Sequence, residues 1–285
     1  MMGFIQKRQG RWEESRRNLE RAAELDPRDI ETLRAIAGNY AAFRRYDEAK
    51  SWSARALAVA GPDNVFMKLE LPSLEMRWNA NTRPLHQTIE SIRATNPAAV
   101  TSTIALNWLI CALAERDAAA ATDALSALGE TEIGFGDQVF FNREFVEGVI
   151  ARMTNDEHKA QLAFTAARAE QEKVIQAQPE FGPAWCVLGL IDAGLGRKEE
   201  ALREGRRAVE LLPMEKDAVV GRSLVRYLAV IAAWVGEKDL ACEQLAIAIR
   251  SPSSMYGDLK LMPFWDPLRG EPCFEEIVAS LAPKK

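Results

Sequence analysis

PAWCVLGLIDAGLGRKEEALREGRRAVELLP, residues 183–213, decides the fold. It reads as two short helices back to back. The first carries Trp185, Leu188 and Gly189, and Gly194-Leu195-Gly196 breaks it. The second places Ala201, Gly205, Ala208 and Leu212 on one face at helical spacing, and Pro213 stops it. Each residue type has a mechanical reason. Gly189 and Ala208 have little or no side chain, so neighbouring helix axes can approach closely. Gly196 supplies a left-handed cap that Val or Leu could adopt only at a cost. Pro213 cannot extend a helix but can begin a turn.

Trp, then Leu-Gly three and four positions later, a packing Ala in the second helix and a closing Pro form a pattern that resembles the tetratricopeptide repeat. The resemblance implies an all-α, right-handed superhelix of about seven helix pairs with a C-terminal capping helix, a fold that serves as a scaffold. Two positions depart from the pattern: Asp192 where Tyr is usual, and Gly205 where a bulky aromatic is usual. Both belong to one packing layer, so another side chain is expected to fill that space.

Composition agrees with an all-helical chain. Ala, Leu, Glu and Arg dominate, and 48% of the 285 residues are hydrophobic, enough for a continuous core. No apolar run approaches the roughly 18 residues of a membrane span, and the N-terminus lacks a signal-peptide pattern. Both point to a cytoplasmic protein. The net charge of −5, with basic residues in excess only in about the first sixty, excludes a nucleic-acid footprint. Cys111, Cys186, Cys242 and Cys273 lie far apart without CxxC spacing and are expected as buried free thiols.

The same template, set along the chain, gives clear units at 1–29, 30–63, 182–215 and 217–252, degenerate ones at 64–97, 98–128 and 138–180, and a cap at 255–282, within one continuous domain. The first unit matches at Gly3, Gly10, Ser15, Leu19, Ala22 and Pro27. It starts in the middle of a first helix, as an excised or internal piece of a longer protein would. In the second unit Arg44 replaces the turn glycine, so that corner is expected to need a different cap, and Asp47 is placed to cap the following helix. Pro72 should interrupt the third unit, whereas Pro84 suits a first helical turn. The fourth unit, 98–128, has a register that is ambiguous by one residue.

In the turn-like stretch 129–137, Asp137 is a plausible N-cap for the next helix, and Gly134-Phe135-Gly136 lacks the preceding strand that a phosphate site needs. The fifth unit's second helix, from about Asp156 to Gln178, is some two turns too long and could fill the gap at Asp192 and Gly205. The seventh unit has Val225, Leu228 and Ala229 on its first helix, Gly236 in the turn and Ala241, Leu245 and Ala248 on its second. Residues 251–254 end it. Phe274, Ile277, Val278 and Leu281 share one face of the last helix, as a capping helix requires.

The tail narrows the resemblance. Residues 211–281, and Pro263-Phe264-Trp265-Asp266-Pro267-Leu268-Arg269 above all, are similar to the C-terminal repeat regions of bacterial multidomain signalling proteins. There the repeats sit behind a serine/threonine kinase, a cyclase or a winged-helix module. The resemblance implies a regulatory scaffold. No VAIK, HRD or DFG motif is present, so kinase activity does not carry over.

Candidate chemistry is sparse. His86 and His158 each lack a second ligand at i+4, and adjacent glutamate pairs splay apart on solvated faces. No catalytic set, cofactor site or metal site is expected, and the chain reads as a non-enzyme. In a tetratricopeptide solenoid the first helices line a concave surface. The resemblance puts Phe145, Val149, Arg152, Met153, Cys186 and Leu190 there, followed by Arg226, Val230 and Trp234. With a less certain register Ile104 and Trp108 join them. That mostly apolar groove with two arginines suits an amphipathic helix or an extended peptide carrying an acidic residue. In the bland alternative the groove is narrow and these residues pack on one another or on the C-terminal helix. Two rivals remain. One is self-association, in which the incomplete first unit completes another copy. The other is an enzyme hidden in the irregular 65–137 region.

Overall fold

The computed structural model describes residues 2–100, 102–129, 132–135, 137–252 and 255–283. Helices α1 (Met2–Arg8) and α2 (Trp12–Leu25) form the first pair, α3 (Ile30–Ala42) and α4 (Tyr46–Ala60) the second. In the third unit the leading helix is broken into α5 (Val65–Lys68) and α6 (Glu70–Asn79), with Pro72 in the first turn of α6, and α7 (Arg83–Thr95) follows with Pro84 at its start. After a 3-10 turn at Pro97–Ala99 come α8 (Ser102–Glu115) and α9 (Ala118–Leu128). A small antiparallel hairpin, β1 (Ile133–Gly134) with β2 (Phe140–Phe141), separates them from α10 (Arg143–Met153) and α11 (Glu157–Ala177). The last pairs are α12 (Gly182–Gly194) with α13 (Lys198–Leu211) and α14 (Val220–Trp234) with α15 (Lys238–Ala248). The tail holds α16 (Tyr256–Leu261), a 3-10 turn at Pro263–Leu268 and α17 (Pro272–Leu281). Among the described residues this is an all-α array of seven helix pairs with a C-terminal cap. Gly136, Ser253 and Ser254, where turns were expected, lie outside the described residues.

One device recurs at the corner inside every pair: a residue with left-handed backbone. Gly10, Gly196 and Gly236 take it with φ of +74°, +74° and +82°. Arg44, Ala80, Arg116 and Asn155 take the same conformation, with φ between 53° and 61°. The expectation of a different cap at Arg44 is therefore wrong. An L-residue here costs roughly 1–2 kcal/mol, and at two corners the side chain offsets it. Arg44 Nη1 donates to the Ser280 carbonyl at 3.1 Å, and Arg116 donates to the Leu261 carbonyl and, at 2.6 Å, to Asp266. Both arginines bind the C-terminal segment. Asp47 lies in the first turn of α4 and makes no cap bond.

The packing layer at Asp192 and Gly205 is filled from two sides. Arg168, on the overlong α11, donates from Nε to Asp192 Oδ1 at 2.7 Å. Gly205 is met instead from α14: a Cβ there would fall 2.8 Å from Leu228 and 2.9 Å from Ile231. Phe164 of α11 wedges between Gly148 and Gly194, where an added Cβ would come within 2.6–2.7 Å of its ring. So α11 fills only part of the gap, and the following unit fills the rest. We expect Gly205→Phe, although it restores the usual residue of the repeat, to destabilise the chain by roughly 1–3 kcal/mol through overpacking in a denaturant titration.

Beside Asp192 lies Glu204, also buried, and one oxygen of each carboxylate lacks a hydrogen-bond partner. Burial, and then the Asp192 charge and hydrogen bond, push the Glu204 carboxyl up to about 8, so the pair holds a proton. The unfolded chain releases that proton above the ordinary value of 4.5. The proton's contribution to stability is therefore complete below about pH 4.5 and is lost as the pH rises through about 8. Glu204→Gln should leave the melting temperature near that of the wild type at about pH 5 and raise it by a few degrees at about pH 9.

The cysteines need a correction. Cys111 and Cys186 are buried free thiols, but Cys242 of α15 and Cys273 of α17 form a disulfide, so the reading of four free thiols fails for two of them. The bond ties the last repeat to its cap across 31 residues of chain. Linear separation had hidden that proximity.

Candidate functional site

The inner surface of the superhelix divides into a filled half and a cavity. Asp137, expected to cap α10, does not do so: Asn142 caps it, accepting from the Phe145 N–H at 3.0 Å. Asp137 instead turns inward, accepting from Tyr227 Oη at 2.7 Å and from Arg226. Arg226 also donates to Asp258 of α16 at 3.1 Å, and Asp258 accepts from Trp265 Nε1 at 3.1 Å. Burial alone would lower the Arg226 pKa, but Tyr227, Asp258 and Asp137 outweigh it and hold the guanidinium charged.

This ion triple seats the hairpin and the tail against the apolar inner face. Phe141 stacks on Phe145 at 4.6 Å between ring centroids, Phe145 lies 6.4 Å from Trp234, and Trp234 lies 6.1 Å from Phe264. Trp234 Nε1 donates to the Phe264 carbonyl at 2.9 Å, and the Arg152 guanidinium lies over the Trp234 ring, 4.4 Å from its centroid. Val149, Cys186, Leu190 and Val230 are buried in the same core, and Met153 packs partly buried against it. The structure thus brings most of the expected groove residues together, beneath the chain's own hairpin and tail. Ile104 and Trp108 share that continuous core. Ile104 is core, and Trp108 is stacked under the Arg93 guanidinium of α7 at 3.7 Å. In the fourth unit Leu106, Asn107 and Ile110 face inward instead, the outcome of the ambiguous register.

A cavity of about 510 Å³ remains between α3, α6, α8 and the hairpin on one side and α14 and α16 on the other. Of the expected groove residues only Arg226 lines it. Its apolar wall includes Phe66, Leu69, Ile110, Leu261 and Met262. Its charged residues are Arg34, Arg77, Arg222 and Arg226 against Glu70, Asp137 and Asp258. Arg34 pairs with Glu70 at 2.8 Å and covers the Phe66 ring at 4.2 Å, and Arg226 holds both aspartates.

Arg77 and Arg222 have no carboxylate partner among the described residues. Arg77 donates to the Ser73 carbonyl at 3.3 Å. It sits deep among protein atoms, yet solvent reaches it through the cavity. Arg222 contacts the Met255 sulfur at 3.6 Å, and its buried Nε has no partner. Burial, and then repulsion from Arg226, depress Arg222 to about 10, and burial also lowers Arg77. Lys7 is lowered by burial and by Arg222. Partly desolvated cations here face a cavity instead of a counter-ion.

These residues carried a signal that the reading of the later units missed. Arg34, Gly38 and Ala41 on α3, Glu70, Ser73 and Arg77 on α6, and Arg222 and Arg226 on α14 recur at i, i+3, i+4 or i+7 on the inner faces of leading helices. Elsewhere, His86 Nδ1 lies 2.8 Å from Glu115 Oε2, and the Cys111 thiol shares that carboxylate. Among the described residues these three form the one cluster with the makings of a metal centre. Along its own helix His86 has Glu90 at i+4; Cys111 and Glu115 come to it from the neighbouring helix, a proximity that linear spacing does not show.

Two solved structures are similar to this fold. Yeast Tom70 matches with a TM-score of 0.46 and 13% identity over 96% of this chain and 55% of that one. The C-terminal part of a TPR repeat-containing protein from Cytophaga hutchinsonii matches with a TM-score of 0.39 and 10% identity over 90% of this chain and 98% of that one. This chain thus spans about half the length of the Tom70 chain. No family model and no curated protein matches the sequence. No described helix is long and apolar enough to cross a membrane.

If the unpaired cation is held for a ligand, removing it should favour the ligand-free fold. Arg222→Met should raise stability by on the order of 1 kcal/mol in urea titrations, because it removes a desolvated charge that has no ion-pair partner.

Proposed function

We propose that the chain is a non-catalytic scaffold that receives a protein partner in the cavity, as an extended segment with an acidic residue among apolar ones. The supporting observation is that Arg77 and Arg222 face the cavity without carboxylate partners, beside an apolar wall. An acidic side chain placed there would meet two guanidiniums in a partly desolvated setting, where charge-assisted bonds are strongest. Apolar neighbours of that residue would cover Phe66, Ile110 and Leu261. Phe145, Val149, Arg152, Met153, Cys186, Leu190, Val230 and Trp234 would then act from behind, as the packed wall that fixes Arg226 and the hairpin. Ile104 and Trp108 would support the fourth unit from within the core. The finer context, a regulatory part of a bacterial cytoplasmic signalling protein, rests on the resemblance of the tail. The Cys242–Cys273 disulfide favours an oxidising compartment instead. Alkylation of free thiols in the protein as isolated decides between them.

A second reading, self-association, is favoured by α1, which leaves Met2, Phe4 and Ile5 exposed. Both readings are separable on the pure chain. Peptide arrays combining Asp or Glu with Leu, Ile and Phe should yield binders, and Arg77→Ala and Arg222→Met should each weaken them about tenfold or more while circular dichroism is unchanged. Binders that ignore both substitutions, or an array without binders, would remove the cavity as the site. A dimer in light scattering that Ile5→Glu dissolves marks the second reading.

A further inference from the structure

His86 opens the second turn of α7, and Cys111 and Glu115 lie one turn apart on the same face of α8. Packing between the two helices, with Leu85, Ile89, Leu109 and Ala112 buried, holds their backbones in place. The His86 nitrogen, the Cys111 sulfur and a Glu115 oxygen all lie within 4.8 Å of one another. The imidazole is half exposed and the Glu115 side chain about a quarter, whereas the thiol is 2% exposed at the residue level, so the cluster is a shallow well with sulfur at its base.

We propose that His86, Cys111 and Glu115 bind one divalent transition-metal ion, zinc above others, with water in the fourth position. The donor set decides the class. Thiolate and imidazole disfavour calcium and magnesium, which take all-oxygen shells, and suit zinc. Zinc holds sulfur at about 2.3 Å and nitrogen or oxygen at about 2.0–2.2 Å. Small side-chain rotations bring three atoms at the present spacing to those distances. Binding replaces the proton between Cys111 and Glu115: the thiol loses H⁺ to solvent, and its sulfur lone pair and that of neutral His86 form the new bonds. Glu115 exchanges its two hydrogen-bond roles for a metal–oxygen bond. Glu90 and Asp117 add negative potential at His86, which attracts a cation. The ion would staple α7 to α8, joining the third and fourth units where the repeat pattern is weakest.

The test uses the full chain, stripped with a chelator and dialysed. Titrated cobalt(II) should bind one ion per chain and develop a sulfur-to-metal charge-transfer band, and zinc should displace it and raise the melting temperature. Cys111→Ser should abolish the band, and His86→Ala, a surface change that leaves the fold intact, should weaken zinc at least tenfold. Cys186→Ser should leave the band unchanged. Absence of the band in the wild type, a band that survives Cys111→Ser, or zinc affinity unaltered by His86→Ala would overturn the proposal.

Discussion

The bond set of Arg226 with Asp137 and Asp258 holds the inside of this molecule together. It joins α14 to the hairpin loop 89 residues earlier and to the tail 32 residues later. Buried ion pairs contribute little net stability over apolar replacements, but breaking one strands a charge. Here two carboxylate–guanidinium contacts and one phenol contact converge, so removing Arg226 would leave two carboxylates without the guanidinium they share. The aromatic stack from Phe141 through Phe145 and Trp234 to Phe264 depends on the registration these bonds impose. So does the approach of α16 to α6, where Gly257 leaves no room for a side chain against the Met76–Arg77 backbone.

The same lumen contains cations that are satisfied and cations that are not. Arg226 and Arg34 carry their acids with them, whereas Arg222 and Arg77 do not. In a structure optimised only for stability, a Leu or Met would serve at position 222. The two classes sit on adjacent turns of one helix, Arg222 and Arg226, so the contrast comes from what the surrounding elements supply. The hairpin and α16 supply acids to one position and a thioether to the other. That difference separates the internally paired half of the lumen from the half whose guanidiniums lack an ion-pair partner.

The helices were legible because their signals are local. Trp185, Leu188 and Gly189 specify a pair from within one stretch, and Gly10, Gly196 and Gly236 mark corners that any chain would turn the same way. The corner at Arg44 was misread, and the one at Arg116 was not read at all, because each residue does two things. It adopts the left-handed turn and also reaches the tail 236 or 145 residues away, a contact no local pattern encodes. Asp137 misled for the same reason: its spacing suits a cap, but its partner is Arg226. The expected groove residues of the later units lie packed together in the core, and what covers them comes from the hairpin and Phe264. The Cys242–Cys273 pair and the His86, Cys111 and Glu115 cluster likewise form only when distant helices pack. Long-range pairing is where the periodic template is silent.

The first and seventh units also touch. Arg8 binds Asp217 at 2.5 Å, and its carbonyl accepts from the Ala218 N–H at 2.7 Å, so the coil's start rests on the loop before α14. An open solenoid behaves as a spring, each repeat answering only to its neighbours and able to fray from either end. With its start clasped to a late repeat, its corners bound to its tail and its last pair bridged to its cap, this one is mechanically a clasped ring. Its units share strain around the circuit, and its elasticity is given up for a lumen of fixed bore.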